Sequence, residues 1–214
     1  VVEAISQASE NPVRRPVDSR KLKYRPPLFR TASGRQVSVP DGQGGDSGEE
    51  KTPSTSETEH TEIQWLLLTL GGAMGFDLWV ARNDRNKAWR AQPFTTLFSL
   101  KGSLPTQFDP ATNRAIELID VLWLQGNTIV AAFEVESTTS IYSGLLRMSD
   151  LLAMQPNINI QLILVAPEDK RMKVHKEVNR PTFSRFSPPL SKHCRYLSFA
   201  NLRFQIEENK KVLG

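Results

Sequence analysis

Apolar and polar positions divide the chain into an opening quarter without sustained periodicity and a longer remainder of helix-like and strand-like stretches. Ile63, Leu66, Leu67 and Leu70 recur at helical spacing, and Ser56 with Glu59 has the capping-box spacing that opens such a helix. Gly71 and Gly72 are expected to stop or loosen it, and Gly75 to turn the chain into a strand over residues 76–81. A long connection, 82–114, precedes two apolar runs, 116–124 and 128–136, joined at Gln125-Gly126-Asn127 as a hairpin. The next helix, 140–154, places Ile141, Leu145, Met148 and Leu152 on one face and Ser143, Arg147 and Asp150 on the other, and Pro156 ends it. A buried strand over 159–167, a basic helix over 168–183, a strand over 194–199 and a closing helix over 201–212 complete the pattern. This order predicts an α/β domain with a mixed sheet and helices on both faces.

The opening 57 residues behave differently. Prolines at 12, 16, 26 and 27 punctuate a stretch rich in Arg and Lys, and a Gly/Ser/Thr/acidic run follows with little to bury. Such a composition does not offset the entropy of ordering it, so residues 1–57 are expected to be a disordered linker or the end of a preceding region, and 58–214 the folded domain. The start at Val1 rather than Met suits a piece of a longer protein.

Composition narrows the function classes. The net charge of +4 permits a polyanionic partner without requiring one. Cys194 is the only cysteine, which excludes an internal disulfide and a Cys-rich zinc site. That usage and the lack of a secretory leader fit a cytoplasmic setting. No stretch suits a membrane span. His60, His175 and His193 are dispersed and show no metal-ligand spacing, and no nucleophile elbow, P-loop or dinucleotide fingerprint is present.

The chemistry concentrates in the two apolar runs. Asp120 interrupts the first, and Glu134 and Glu136 close the second. Buried carboxylates are costly unless paired or bound to a cation. Alternation puts Glu134 and Glu136 on one face of their strand, and a tight hairpin sets Asp120 within a residue or two of Glu134. Three converging carboxylates repel unless a cation or proton intervenes, and their oxygens suit Mg²⁺ or Mn²⁺.

Asp120, a turn, and Glu134-Val135-Glu136 at the end of an apolar strand resemble the PD-(D/E)XK, or restriction-endonuclease-like, superfamily. The order helix, three strands, helix, strand resembles that family's core over about 58–199. The resemblance implies a metal-dependent endonuclease acting on DNA. It makes Asp120, Glu134, the carbonyl of Val135 and Glu62 on the first helix the metal site, with Glu136 catalytic in the place of the family's lysine. It leaves open an inactive module that binds DNA or protein, and it makes Arg147 a candidate cation substituting for the lysine. Double-strand cutting by one such site would call for a homodimer. DNA contacts are expected from Arg147, Thr138 and Thr139, and from Arg85, Arg90 and Lys101 in the long connection, where basic and aromatic residues interleave.

Overall fold

The computed structural model describes residues 28–31, 34, 36–38, 55–105, 109–137, 141–154 and 160–213. The strands are β1 (Leu28–Arg30), β2 (Gln36–Ser38), β3 (Asp77–Val80), β4 (Ala88–Trp89), β5 (Gln92–Pro93), β6 (Val121–Gln125), β7 (Thr128–Val135), β8 (Gln161–Ala166) and β9 (Cys194–Ser198). The helices are α1 (Thr55–Ala73), α2 (Pro110–Ile116), α3 (Ile141–Met154), α4 (Arg171–Val178), α5 (Pro181–Ser184), α6 (Leu190–His193) and α7 (Phe199–Leu213).

Five strands form the central sheet in the order β3-β6-β7-β8-β9. The first two pairings are antiparallel and the last two parallel, so the sheet is mixed as the pattern predicts. Period-two alternation splits the apolar residues into two cores. Leu122, Ala132, Leu162 and Leu164 face Ile141, Leu145 and Met148 of α3 and Val174 of α4. Val121, Trp123, Phe133 and Val165 face Ile63, Leu67 and Leu68 of α1 and Phe199 and Leu202 of α7. Strands covered on both faces read as continuous apolar runs, which is why β7 and β8 are so apolar.

Four expectations change. The strand expected over 116–124 begins only at Val121, because α2 occupies Pro110–Ile116. Asp109 caps that helix by accepting from the Thr112 amide, and Pro110 supplies a first-turn residue with no amide to satisfy. Glu117, just past this helix, pairs with Arg114 and lies 3.7 Å from Arg82. Second, α1 runs through Gly71 and Gly72 to Ala73. Gly71 serves close approach: a Cβ there would lie 2.4 Å from the Trp123 Nε1, which donates to the Leu67 carbonyl at 3.1 Å. Third, the basic helix over 168–183 is broken into a 3₁₀ turn, α4 and α5, with Pro181 opening the last of these. Fourth, within the segment expected to be a disordered linker or the end of a preceding region, β1 and β2 pair, and Phe29 and Val37 pack on Ala111 and Ala115 of α2. The remaining linker expectations, the Ser56 side chain of the capping box and Pro156 lie outside the described residues. No described helix is long and apolar enough to cross a membrane.

Candidate active site

β7 carries the site. Its last pairings with β6 set Val121 opposite Phe133, which places Asp120, in the turn before β6, level with Glu134. The turn is tied to the end of β3 by the Ala81 amide, which donates to the Asp120 carbonyl at 3.1 Å. The Glu136 amide donates to Val165 on β8, so by strand alternation the Val135 amide faces the β6 side, where the strand has already ended. There the Asp120 carboxylate replaces the missing backbone acceptor, taking the Val135 amide on Oδ2 at 2.7 Å. Both backbone groups of one strand residue point the same way, so the Val135 carbonyl also turns toward Asp120.

On the α3 side, Glu134 is fully buried and receives a forked pair from Arg147: Nε to Oε1 at 2.8 Å and Nη2 to Oε2 at 2.5 Å. Glu136, 6% exposed, lies two residues further along the same face, with Ser143 Oγ 3.4 Å from its Oε1. Gly144 permits this approach, since a Cβ there would stand 2.8 Å from Glu136 Oε1 and 3.1 Å from Glu134 Cβ. Burial pushes Glu134 well above the usual carboxylate range, helped by Asp120 and opposed by Arg147. Burial, with Asp120 adding to it, pushes Glu136 up to about 7. Burial works against charge on Arg147 too, but Glu134 outweighs it and holds the guanidinium proton more tightly.

On the α1 side, His60 Nε2 lies 3.7 Å from Asp120 Oδ1 and 3.7 Å from Asp84 Oδ2. Asp84 also accepts from Gln64 Nε2 at 2.7 Å and pairs with Lys87 Nζ at 2.8 Å. Burial disfavours ionisation of Asp84, but His60, Lys87 and Gln64 hold its pKa well below the usual range. Burial likewise disfavours charge on His60, and Asp120 and Asp84 overcome it to raise its pKa. Asp120, 8% exposed, therefore joins two polar groups on opposite faces of the sheet.

The structure brings together Asp120, Glu134, Glu136 and Arg147. It does not bring Glu62 to them. Glu62 lies 200° around a helix from His60 by helical geometry, and both its oxygens are held by Arg203, at 3.0 and 2.9 Å, beside Glu59. Among the described residues, the group of His or acidic ligands whose atoms all come within 4.8 Å is His60, Asp84 and Asp120, not Asp120, Glu134 and Glu136. Arg147 of α3 takes both oxygens of Glu134. Arg85 donates to the Lys101 carbonyl at 2.6 Å and lies 5.4 Å over Trp79, and Lys101 pairs with Asp77 at 3.0 Å. Both basic residues are thus engaged within the domain. Arg90 is exposed at the β4–β5 turn, over Trp89. Thr138 and Thr139 lie outside the described residues.

Sequence reasoning missed His60 and Asp84. A signal was present for the first: His60 and Gln64 sit one turn apart, on the stripe that continues as the buried Leu67 and Leu68. Polar residues on a buried stripe need partners.

Comparison with known proteins bears on this arrangement. A family model described as the type II restriction enzyme NmeDI C-terminal domain matches residues 41–212, a span reaching from before α1 into α7. The chain belongs to this family. The NmeDI-type C-terminal domain therefore includes both sides of the Asp120 site. The chain is also 34% identical over 131 residues to the type II restriction enzyme NmeDI of Neisseria meningitidis serogroup C, a match covering 58% of this chain and 37% of that protein. The chain thus spans well under half the length of this relative. No solved structure matches.

Proposed function

We propose that this NmeDI-type domain is a metal-dependent endodeoxyribonuclease of the PD-(D/E)XK type that hydrolyses DNA phosphodiester bonds. One observation carries the reading: Asp120, Glu134 and Glu136 are buried together at one end of the central sheet, with the Arg147 guanidinium set against them. Three carboxyl groups against one guanidinium give an excess of negative charge once they ionise, and an all-oxygen donor set fits Mg²⁺ or Mn²⁺. Asp120, Glu134 and the Val135 carbonyl would hold the ion. When bound, it would lower the pKa of a water and stabilise charge on the scissile phosphate.

The side chains do the rest. Glu136 stands where the superfamily has lysine and is the carboxylate placed to receive a proton from the attacking water. Arg147 is 29% exposed, unlike the Glu134 it holds, so its guanidinium can turn from that carboxylate to a phosphate oxygen. DNA is the partner in this reading. Arg90 extends the contact surface, and two copies pair to cut both strands.

The test is conversion of supercoiled plasmid to nicked or linear DNA by the purified protein with Mg²⁺ or Mn²⁺. Cleavage should require one of these ions and disappear in Glu134→Ala. Undiminished cleavage by that variant, or none by the parent with either ion, would contradict the proposal. A second reading, an inactive module that binds DNA or protein, is favoured by the Arg147 fork, which satisfies Glu134 without any ion. It predicts salt-sensitive DNA binding that no divalent metal alters, and no cleavage.

A further inference from the structure

The α1 side of Asp120 holds a polar group that the proposed cleavage does not use. His60 Nε2, Asp84 Oδ2 and Asp120 Oδ1 face one another across gaps of 3.7 Å from the imidazole, too long for hydrogen bonds. Ligand atoms on one ion, with bonds of about 2.1 Å, sit roughly 3.0–3.4 Å apart. A small contraction would therefore seat an ion among these three atoms. A second observation points to the same place. Gln64 is fully buried, and its carbonyl oxygen has no hydrogen-bond partner. Its amide nitrogen is spent on Asp84 Oδ2 at 2.7 Å, which puts the unpartnered oxygen of the same group beside the cluster.

We infer that His60, Asp84 and Asp120, with the Gln64 carbonyl as a fourth donor, form a binding site for a divalent transition-metal ion. One imidazole nitrogen, two carboxylates and an amide oxygen favour Mn²⁺, Co²⁺ or Zn²⁺ over Mg²⁺, which prefers all-oxygen surroundings. Lys87 occupies the other oxygen of Asp84 at 2.8 Å and is the competing cation. Its side chain is 39% exposed, so it can swing into solvent when an ion arrives. The site shares Asp120 with the proposed nuclease centre, but the cation binds it whether or not the domain cuts DNA.

The test uses the full chain with metal alone and no DNA. Mn²⁺ binding is followed by electron paramagnetic resonance and Co²⁺ binding by visible absorption. One ion should bind per chain in contact with His60, with Mg²⁺ a weak competitor there. His60→Ala and Asp84→Asn should each weaken binding by at least about tenfold, while Lys87→Ala should tighten it. Arg203→Ala, which lies outside both groups around Asp120, should leave it unchanged. In the parent protein, bound Mn²⁺ should broaden the His60 ring resonances beyond those of His175 and His193, a readout that stands even if a variant fails to fold. Parent-like affinity in both His60→Ala and Asp84→Asn, no binding by the parent, or unbroadened His60 resonances would overturn the inference. Because no DNA is present, such a failure is distinct from a failure to cleave.

Discussion

The two sides of Asp120 solve the same problem, a carboxylate held out of water, in opposite ways. On the α3 side, Glu134 is fully buried and both its oxygens are taken by one guanidinium, a closed pair with geometry fixed by the Gly144 approach. On the α1 side, Asp84 shares its charge among an amide, an ammonium and an imidazole, and the imidazole stands off at 3.7 Å. A closed fork sets charge without an ion. An open group of mixed donors leaves room for one. The difference teaches that carboxylates converging on one sheet end can take different partners, since a single arginine draws Glu134 toward α3.

Breaking the closed side should have the largest effect. Arg147→Ala leaves Glu134 buried without its partner and should lower the stability of the metal-free protein by about 3–5 kcal/mol, read from denaturant midpoints. Loss of less than about 1 kcal/mol would mean that the fork behaves as a surface pair. The same side should carry a pH signature. Glu136 has its pKa raised to about 7 in the fold, so between the ordinary carboxylate range and that value the unfolded chain is ionised while the folded protein keeps the proton. Stability contributed by the protonated form is therefore complete at low pH and is lost as pH rises from about 4.5 to about 7, on the order of 3 kcal/mol. Glu136→Gln should remove that slope from thermal melts of the metal-free protein, and a slope unchanged by the substitution would place its origin elsewhere.

The smallest effect belongs to a residue outside both sides. Arg203→Ala frees Glu62 and Glu59 at a partly exposed position and should cost about 1 kcal/mol or less, with plasmid cleavage unchanged. A collapse of cleavage would return Glu62 to the site.

How far the sequence revealed this arrangement follows from what each part depends on. The mixed sheet, the two acids at the end of β7 and the polar face of α3 were legible, because alternation and helical periodicity are local and β7 and α3 are long. The start of β6 was misread, since Ile116, Leu118 and Ile119 look strand-like. The opposing signal, Asp109 followed by Pro110, lies seven residues earlier and marks a helix start. Glu62 follows from the resemblance, which implies an acid on the first helix, and which face of α1 meets the site depends on packing that periodicity does not orient. The α1 side was the least legible part. His60, Asp84 and Asp120 come from a helix, a 3₁₀ turn after β3 and a turn before β6, and they meet only because β3 and β6 pair in register. No local pattern encodes such a meeting.

Asp120 is the residue on which both sides rest, so replacing it is the most direct test of the account. Asp120→Asn keeps an oxygen to accept from the Val135 amide while removing the charge shared by the two groups. Plasmid cleavage and metal-alone Mn²⁺ binding should be measured on this variant beside Glu134→Gln. The account predicts that Asp120→Asn loses both cleavage and the Mn²⁺ at His60, whereas Glu134→Gln loses cleavage and keeps the ion at His60. Cleavage and Mn²⁺ binding that both survive in Asp120→Asn would contradict it.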